Sequence, residues 1–263
     1  MYNPYLITGI IFIIGLFLIY LVLRKGKAEI PQINFSEEEI GAILDLEVLF
    51  YKKLATADKD IFRKRVLYFL RRTKISAEKG AVVTVTDKVL VAASATIPLF
   101  HFKNWAYENL DEVLIYPDFF TEKFDTQEGH RNVAGMVGTG ALNHKMILSQ
   151  PALRAGFKKN ADGNTAIHEF VHLIDKADGA IDGIPEYLIP KELIQPWLHE
   201  MNKTIREIRT TDSDIRDYAA TNPAEFLAVI SEYFFEKPQL LKEDHPKLYA
   251  LLDEIYTNTD AKA

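Results

Sequence analysis

The chain has 263 residues, 48% of them hydrophobic and 26% charged, which suits one globular domain or two small ones sharing a core. A net charge of −6 argues against nonspecific nucleic-acid binding, so no direct nucleic-acid partner is expected. With no cysteine, disulfide frameworks, cysteine-ligated zinc and thiol nucleophiles are excluded.

The chain opens on an apolar run. "YLITGIIFIIGLFLIYLVL", residues 5–23, carries no charge, and its length matches a hydrocarbon core of about 30 Å. Tyr2, Tyr5 and Tyr20 suit the two interfaces. Arg24, Lys25 and Lys27 follow the run and no basic side chain precedes it, so the positive-inside rule puts the rest of the chain in the cytoplasm. A cleavable signal would begin with basic residues and end at a small-residue cleavage site; neither is evident. The expected organisation is a single-pass membrane anchor with its basic flank over 1–28, a linker over 29–35, a domain over 36–257 and a disordered tail over 258–263.

Ser36 and Glu39 make a capping-box pattern, so a helix is expected to start there. "KDIFRKRVLYFLRRTK" places Ile61, Val66, Phe69 and Leu70 near helical spacing, with basic residues between them on a solvated face. "VVTVTD", residues 82–87, is β-branched and reads as a strand, and "KVLVAASATIPLF" as a buried helix. "EVLIYPDF" reads as a strand ended by Pro117. "GMVGTGALNHKMILS" is broken by glycines and then alternates, as a loop feeding a strand would. Helical patterns dominate from residue 164 onward.

"NTAIHEFVHLIDKADG" carries the clearest chemistry. Asn164 is placed to cap a helix that stops near Gly179. His168 and His172, four residues apart, share one helix face and can bind one zinc ion. Glu169 points to the side of the metal, where a carboxylate can take a proton from water and hand it to a leaving amine. H-E-x-x-H thus combines two ligands and a base in five residues.

A catalytic zinc takes a third protein ligand and keeps one open position. Asp178 occupies the third-ligand position of the extended pattern H-E-x-x-H-x-x-G-x-x-H, but Asp175 stands where that pattern has its glycine. "YAATNPAEFLAVISEYFFE" offers Glu225 and Glu232, seven apart on one face, with Phe226, Ile230, Tyr233 and Phe234 opposite. Glu225 also fits a capping box, with Asn222 as N-cap and Pro223 in the first helical position. Spacing leaves all three carboxylates open. Asp175 could orient an imidazole, or merely occupy the last helical turn.

"HEFVHLIDKADGAIDGIPE" and "YAATNPAEFLAVISEYFFEKPQLLKEDHPKLYALLDEIY" resemble the Mlc titration factor A family of zinc-dependent peptidases, also called glucose-regulated metallopeptidases. The likeness extends upstream through "RVLYFLRRTKI", "VTDKVLVAASATIPL" and "VLIYPDFF", covering roughly residues 38 to 256. The resemblance implies His168 and His172 as ligands, Glu169 as base, Glu225 as third ligand and Tyr218 as a phenol near the reacting carbonyl. The family name implies a transcriptional regulator as partner. The anchor is an addition to that family, and "GMVGTGALNHKMILSQ", where substrate-contacting backbone is expected, diverges from it.

The expected fold is α+β and mainly helical: a zincin-like metallopeptidase domain with a small β-sheet, preceded by one transmembrane helix. The expected function is zinc-dependent hydrolysis of peptide or protein substrates. The rival reading is a membrane-tethered docking module with a structural or vestigial zinc, against which the intact Glu169 speaks. An aminopeptidase needs an acidic group to hold the substrate's free amine, and no motif singles one out.

Overall fold

The computed structural model describes residues 13–15, 17, 36–102, 106–159 and 161–257. Residues 1–31 and 32–263 form separate units. In the first, positions 13–15 and 17 are helical; the rest of the expected anchor, like the tail 258–263, lies outside the described residues. Among the described residues no helix is long and apolar enough to cross a membrane.

The second unit is mainly helical with one small sheet, as expected. Helix α1 (Glu37–Glu47) starts at Ser36, whose hydroxyl accepts from the Glu39 N–H. After the short α2 (Leu49–Lys53), α3 (Thr56–Arg72) buries Phe62, Val66, Leu67, Phe69 and Leu70. Ile61, expected on the apolar face, is exposed, and Phe62 takes the inward position.

The strand expected over "VVTVTD" does not form. Thr84 caps α4 (Val85–Thr96), its hydroxyl accepting from the Asp87 N–H while the Asp87 carboxylate accepts from the Thr84 N–H. This capping box overrides the β-branched composition. The first strand is instead β1 (Lys74–Ala77), at the end of the basic segment read as helix.

Strands β2 (Glu112–Tyr116), β3 (Gly135–Val137) and β4 (Lys145–Ser149) complete a sheet of order β1-β2-β4-β3. β1, β2 and β4 are parallel, and β3 runs antiparallel to β4 at the edge. Val113, Ile115, Met146 and Leu148 face the main helical core. Leu114, Tyr116 and Ile147 face a smaller cluster with Phe120. Both faces are covered, so the central strands read as nearly continuous apolar runs.

Ser149 ends the sheet and caps α5 (Gln150–Ala155). Arg154 on α5 makes a two-pronged ion pair with the buried Asp87, at 2.7 and 2.8 Å, tying α5 to the start of α4. Helix α6 (Thr165–Asp175) follows, extended by a 3₁₀ turn, Lys176–Asp178, and ended by Gly179 at φ 99°. Helices α7 (Ile194–Thr210), α8 (Pro223–Glu236), α9 (Pro238–Asp244) and α10 (Pro246–Thr257) complete the unit. α6 packs against α4, α8 and strand β3. Phe170 and Ile174 of α6, with Phe226 and Ile230 of α8, are fully or almost fully buried. Each such side chain contributes about 1.5–3 kcal/mol, so the helices that carry the site are fixed by the core itself.

Candidate metal centre

The buried Asn164 sets the start of α6: its Oδ1 accepts from the Ile167 N–H at 3.1 Å. One turn separates His168 from His172, whose ring centroids lie 4.7 Å apart. On α8, Asn222 accepts from the Glu225 N–H at 3.0 Å, so the cap expected there exists. The Glu225 side chain turns to the histidines instead of back to the cap. Its Oε2 is 3.0 Å from His168 Nε2 and 3.4 Å from His172 Nε2, and the two Nε2 atoms are 3.1 Å apart.

Two imidazole nitrogens and a carboxylate oxygen, all within 4.8 Å of one another, converge on one point. This His₂Glu donor set fits a catalytic zinc. The electrostatics agree. Burial disfavours charge on His168, but Glu225 and Glu232 outweigh it and push its pKa up to about 10. Burial raises the Glu225 carboxyl, yet His168 and His172 hold it well below the usual carboxylate range. The pocket is built for positive charge.

Of the two other carboxylates that spacing left open, neither joins this set. Glu232 lies behind His168, where its Oε1 accepts from His168 Nδ1 at 2.7 Å and from Arg216 at 2.6 Å. Its Oε2 accepts from the Asn164 N–H at 2.6 Å. With Nδ1 used as a donor, Nε2 is the His168 atom left to ligate, so Glu232 fixes both tautomer and ring orientation. Asp178 accepts from the N–H of Ala180 at 2.8 Å and from that of Glu186 at 3.4 Å, and braces its own loop. The buried Asp175 accepts from the Gly183 N–H at 3.1 Å, and burial pushes its carboxyl up to about 6.

Glu169 is buried beside the cluster, and burial raises its pKa, as suits a base that must take up a proton. Strand β3 lies directly against it. A Cβ added to Gly135 would sit 2.7 Å from Glu169 Cγ and 2.8 Å from its Oε1. Only glycine lets the strand approach this closely. Tyr218, on a 3₁₀ turn (Asp217–Ala220), is half exposed, with its ring centroid 6.0 Å from that of His168. Burial, and then the Glu225 charge, push its phenol up to about 12, so it stays a proton donor at neutral pH.

Gly135, Arg216 and the second task of Asn164 are not apparent from motif spacing. A glycine inside a short strand is a signal of close backbone approach, whereas Arg216 carries no motif.

A family model for glucose-regulated metallo-peptidase M90 matches residues 23–257. The chain belongs to this metallopeptidase family. Among curated relatives, an uncharacterized Synechocystis protein is 29% identical over 228 residues, covering 82% of each chain. Mlc titration factor A of Klebsiella pneumoniae is 26% identical over 246 residues, 89% of this chain and 88% of the relative. Mlc titration factor A of Escherichia fergusonii is 29% identical over 201 residues, 72% of this chain and 74% of the relative. The match to the family of metallopeptidases spans the elements that carry the histidine cluster and Glu169.

Proposed function

We propose that the protein is a zinc-dependent peptidase, with His168, His172 and Glu225 as ligands. The carrying observation is the convergence of those three donors beside a buried Glu169. A zinc ion bound there would lower the pKa of its water toward about 7 and polarise the scissile carbonyl. Glu169 takes the water's proton and returns it to the leaving amine. The Tyr218 phenol donates a hydrogen bond to the carbonyl oxygen as that oxygen gains charge. Glu232 and Arg216 hold His168 in place.

Strand β3 supports a peptide as substrate. Gly138 donates to Lys145 and Ser149 to Ala134, which sets the alternation of the β3–β4 ladder. The N–H and C=O of Gly135 and Val137 therefore point away from β4, toward the outer edge of the sheet, where among the described residues Phe120 pairs with Val133 and leaves Gly135 and Val137 without a backbone partner. An extended peptide can pair there as an added strand.

The test is Glu169→Gln, which keeps size but removes the base. Zinc should stay bound while peptide hydrolysis falls at least about 10²-fold. Near-normal hydrolysis with zinc in place would sink the mechanism.

Localisation and partner belong to the same proposal. Residues 5–23 anchor the protein, with the peptidase unit on the cytoplasmic side. Protease added to intact cells should leave that unit uncut, and digestion without lysis would reverse the orientation. The name Mlc titration factor A, carried by relatives, points to the regulator Mlc as a binding partner; pull-down of purified Mlc by the full chain checks this, and no capture removes it.

A further inference from the structure

A separate cavity of about 770 Å³ lies among α1, α2, the chain after α5, the C-terminal end of α8 and the end of α10. None of His168, Glu169, His172 and Glu225 lines it. Its volume falls in the range of small-molecule sites, roughly 300–1,000 Å³. Leu49, Ile97, Phe157, Phe234 and Tyr256 give it apolar walls. Five lysines line it as well, Lys52, Lys53, Lys158, Lys159 and Lys237, against three carboxylates, Glu47, Glu236 and Asp253. All five lysines are exposed, an excess of cations in a chain of net charge −6. Lysine stems lie along apolar surface while their heads stay in water, so the arrangement is an oily interior under a cationic mouth. Lys53 at the end of α2 and Lys237 just after α8 line the cavity together with Glu236.

Just over half of the wall is helical. Leu46 and Glu47 belong to α1, Leu49, Phe50, Lys52 and Lys53 to α2, Phe234, Phe235 and Glu236 to α8, Pro238 to α9 and Asp253, Tyr256 and Thr257 to α10. Helix backbone spends most of its N–H and C=O groups internally. An extended peptide would find few main-chain partners here, whereas a hydrocarbon chain needs none. We propose that this cavity binds a single-chain amphiphile with an anionic head, its chain against Ile97, Phe157 and Phe234 and its head at Lys53 and Lys237.

The cavity is wired to the metal centre. Two of its lining residues, Gly156 and Glu236, accept hydrogen bonds from the Asn164 Nδ2, each at 3.2 Å. A Cβ at Gly156 would lie 2.8 Å from Asn164 Cγ, so the Asn164 side chain sits directly behind that lining residue. The same asparagine caps α6 and donates its N–H to Glu232, which holds His168. A ligand that shifts either residue acts on a ligating histidine through two hydrogen-bonded residues. This coupling rests on the metal site proposed above; the binding does not.

The experiment uses the full chain in phosphatidylcholine vesicles with a photoreactive dodecanoate analogue, the cross-linked peptides being mapped by mass spectrometry. Labelling should fall on residues 156–159 and 234–238, and dodecanoate should compete where dodecanol does not. Lys53→Glu with Lys237→Glu, two exposed changes, should cut labelling there about tenfold. Labelling confined to other segments, or unchanged in the double variant, would overturn the proposal. Competition by lysophosphatidylglycerol would identify a single-chain phospholipid as the source of the ligand, and competition by dodecanoate alone a free acid. Zinc affinity, read by chelator competition, should change when dodecanoate is present, as linkage requires. An unchanged zinc affinity overturns the coupling alone, and since labelling requires no turnover, failure of the peptidase reading leaves the cavity's result intact.

Discussion

Two regions meet at the metal helix and contribute in different ways. The C-terminal helices supply side chains: Glu225 and Glu232 from α8, and Tyr218 from the turn before it. The sheet supplies backbone, a glycine of an edge strand pressed against Glu169. Function encoded in side chains depends on which residue is present. Function encoded in backbone depends on which residue is small enough to be absent.

Under the proposed role of Tyr218 as donor to the developing oxyanion, Tyr218→Phe should lower turnover about 10²-fold with zinc content and KM nearly unchanged. Steady-state kinetics check this; a rise in KM at constant kcat would make Tyr218 a binding residue. On the sheet side, Gly135→Ala forces a methyl group into Glu169. A base displaced by about 1 Å costs up to about 10²-fold in rate, so this variant should lose activity while α6 keeps its zinc. Equal activity in Gly135→Ala and wild type would detach the strand from the site.

Glu232→Gln sharpens the contrast within α8. It leaves all three ligands but weakens the group behind His168, and zinc affinity should drop about 10–100-fold. Competition with a chromophoric chelator measures this. An unchanged affinity would reduce Glu232 to an anchor for Arg216. The smallest effect is on stability. Burial would raise the Asp87 carboxyl, but Arg154, Thr84 and Gln150 outweigh it and lower its pKa in the folded state. Its contribution is therefore full above the unfolded value near 3.8 and lost as pH falls through the folded one. Asp87→Asn should cost about 2 kcal/mol at pH 7, discounted because Arg154 is half in water, and this difference from wild type should shrink below about pH 4. Urea unfolding at pH 7 and pH 3.5 reads both numbers, and a constant difference would remove the ion pair as its cause.

Legibility followed the same division. That His168, Glu169 and His172 gather on one helix is legible in the sequence because i, i+4 spacing is local. Glu225 needed the family resemblance, since its capping position explained it equally well; in the structure it serves both, its N–H on Asn222 and its carboxylate on the histidines. Glu232 was one of three open carboxylates because spacing ranks faces, not depth; burial sets it behind His168. The β-branched "VVTVTD" suggests a strand, but a four-residue capping box, Thr84 to Asp87, decides the local structure. β1 and β3 are short and draw their stability from partners distant in sequence, which no local pattern reports.

In the proposed centre, His168, His172 and Glu225 together hold one zinc ion beside a base, Glu169, that is not a ligand. Zinc stoichiometry by elemental analysis tests it most directly, across wild type, Glu169→Gln and the double variant His168→Ala/His172→Ala. One zinc per chain is expected in the first two and none in the third. Equal zinc in all three would contradict it.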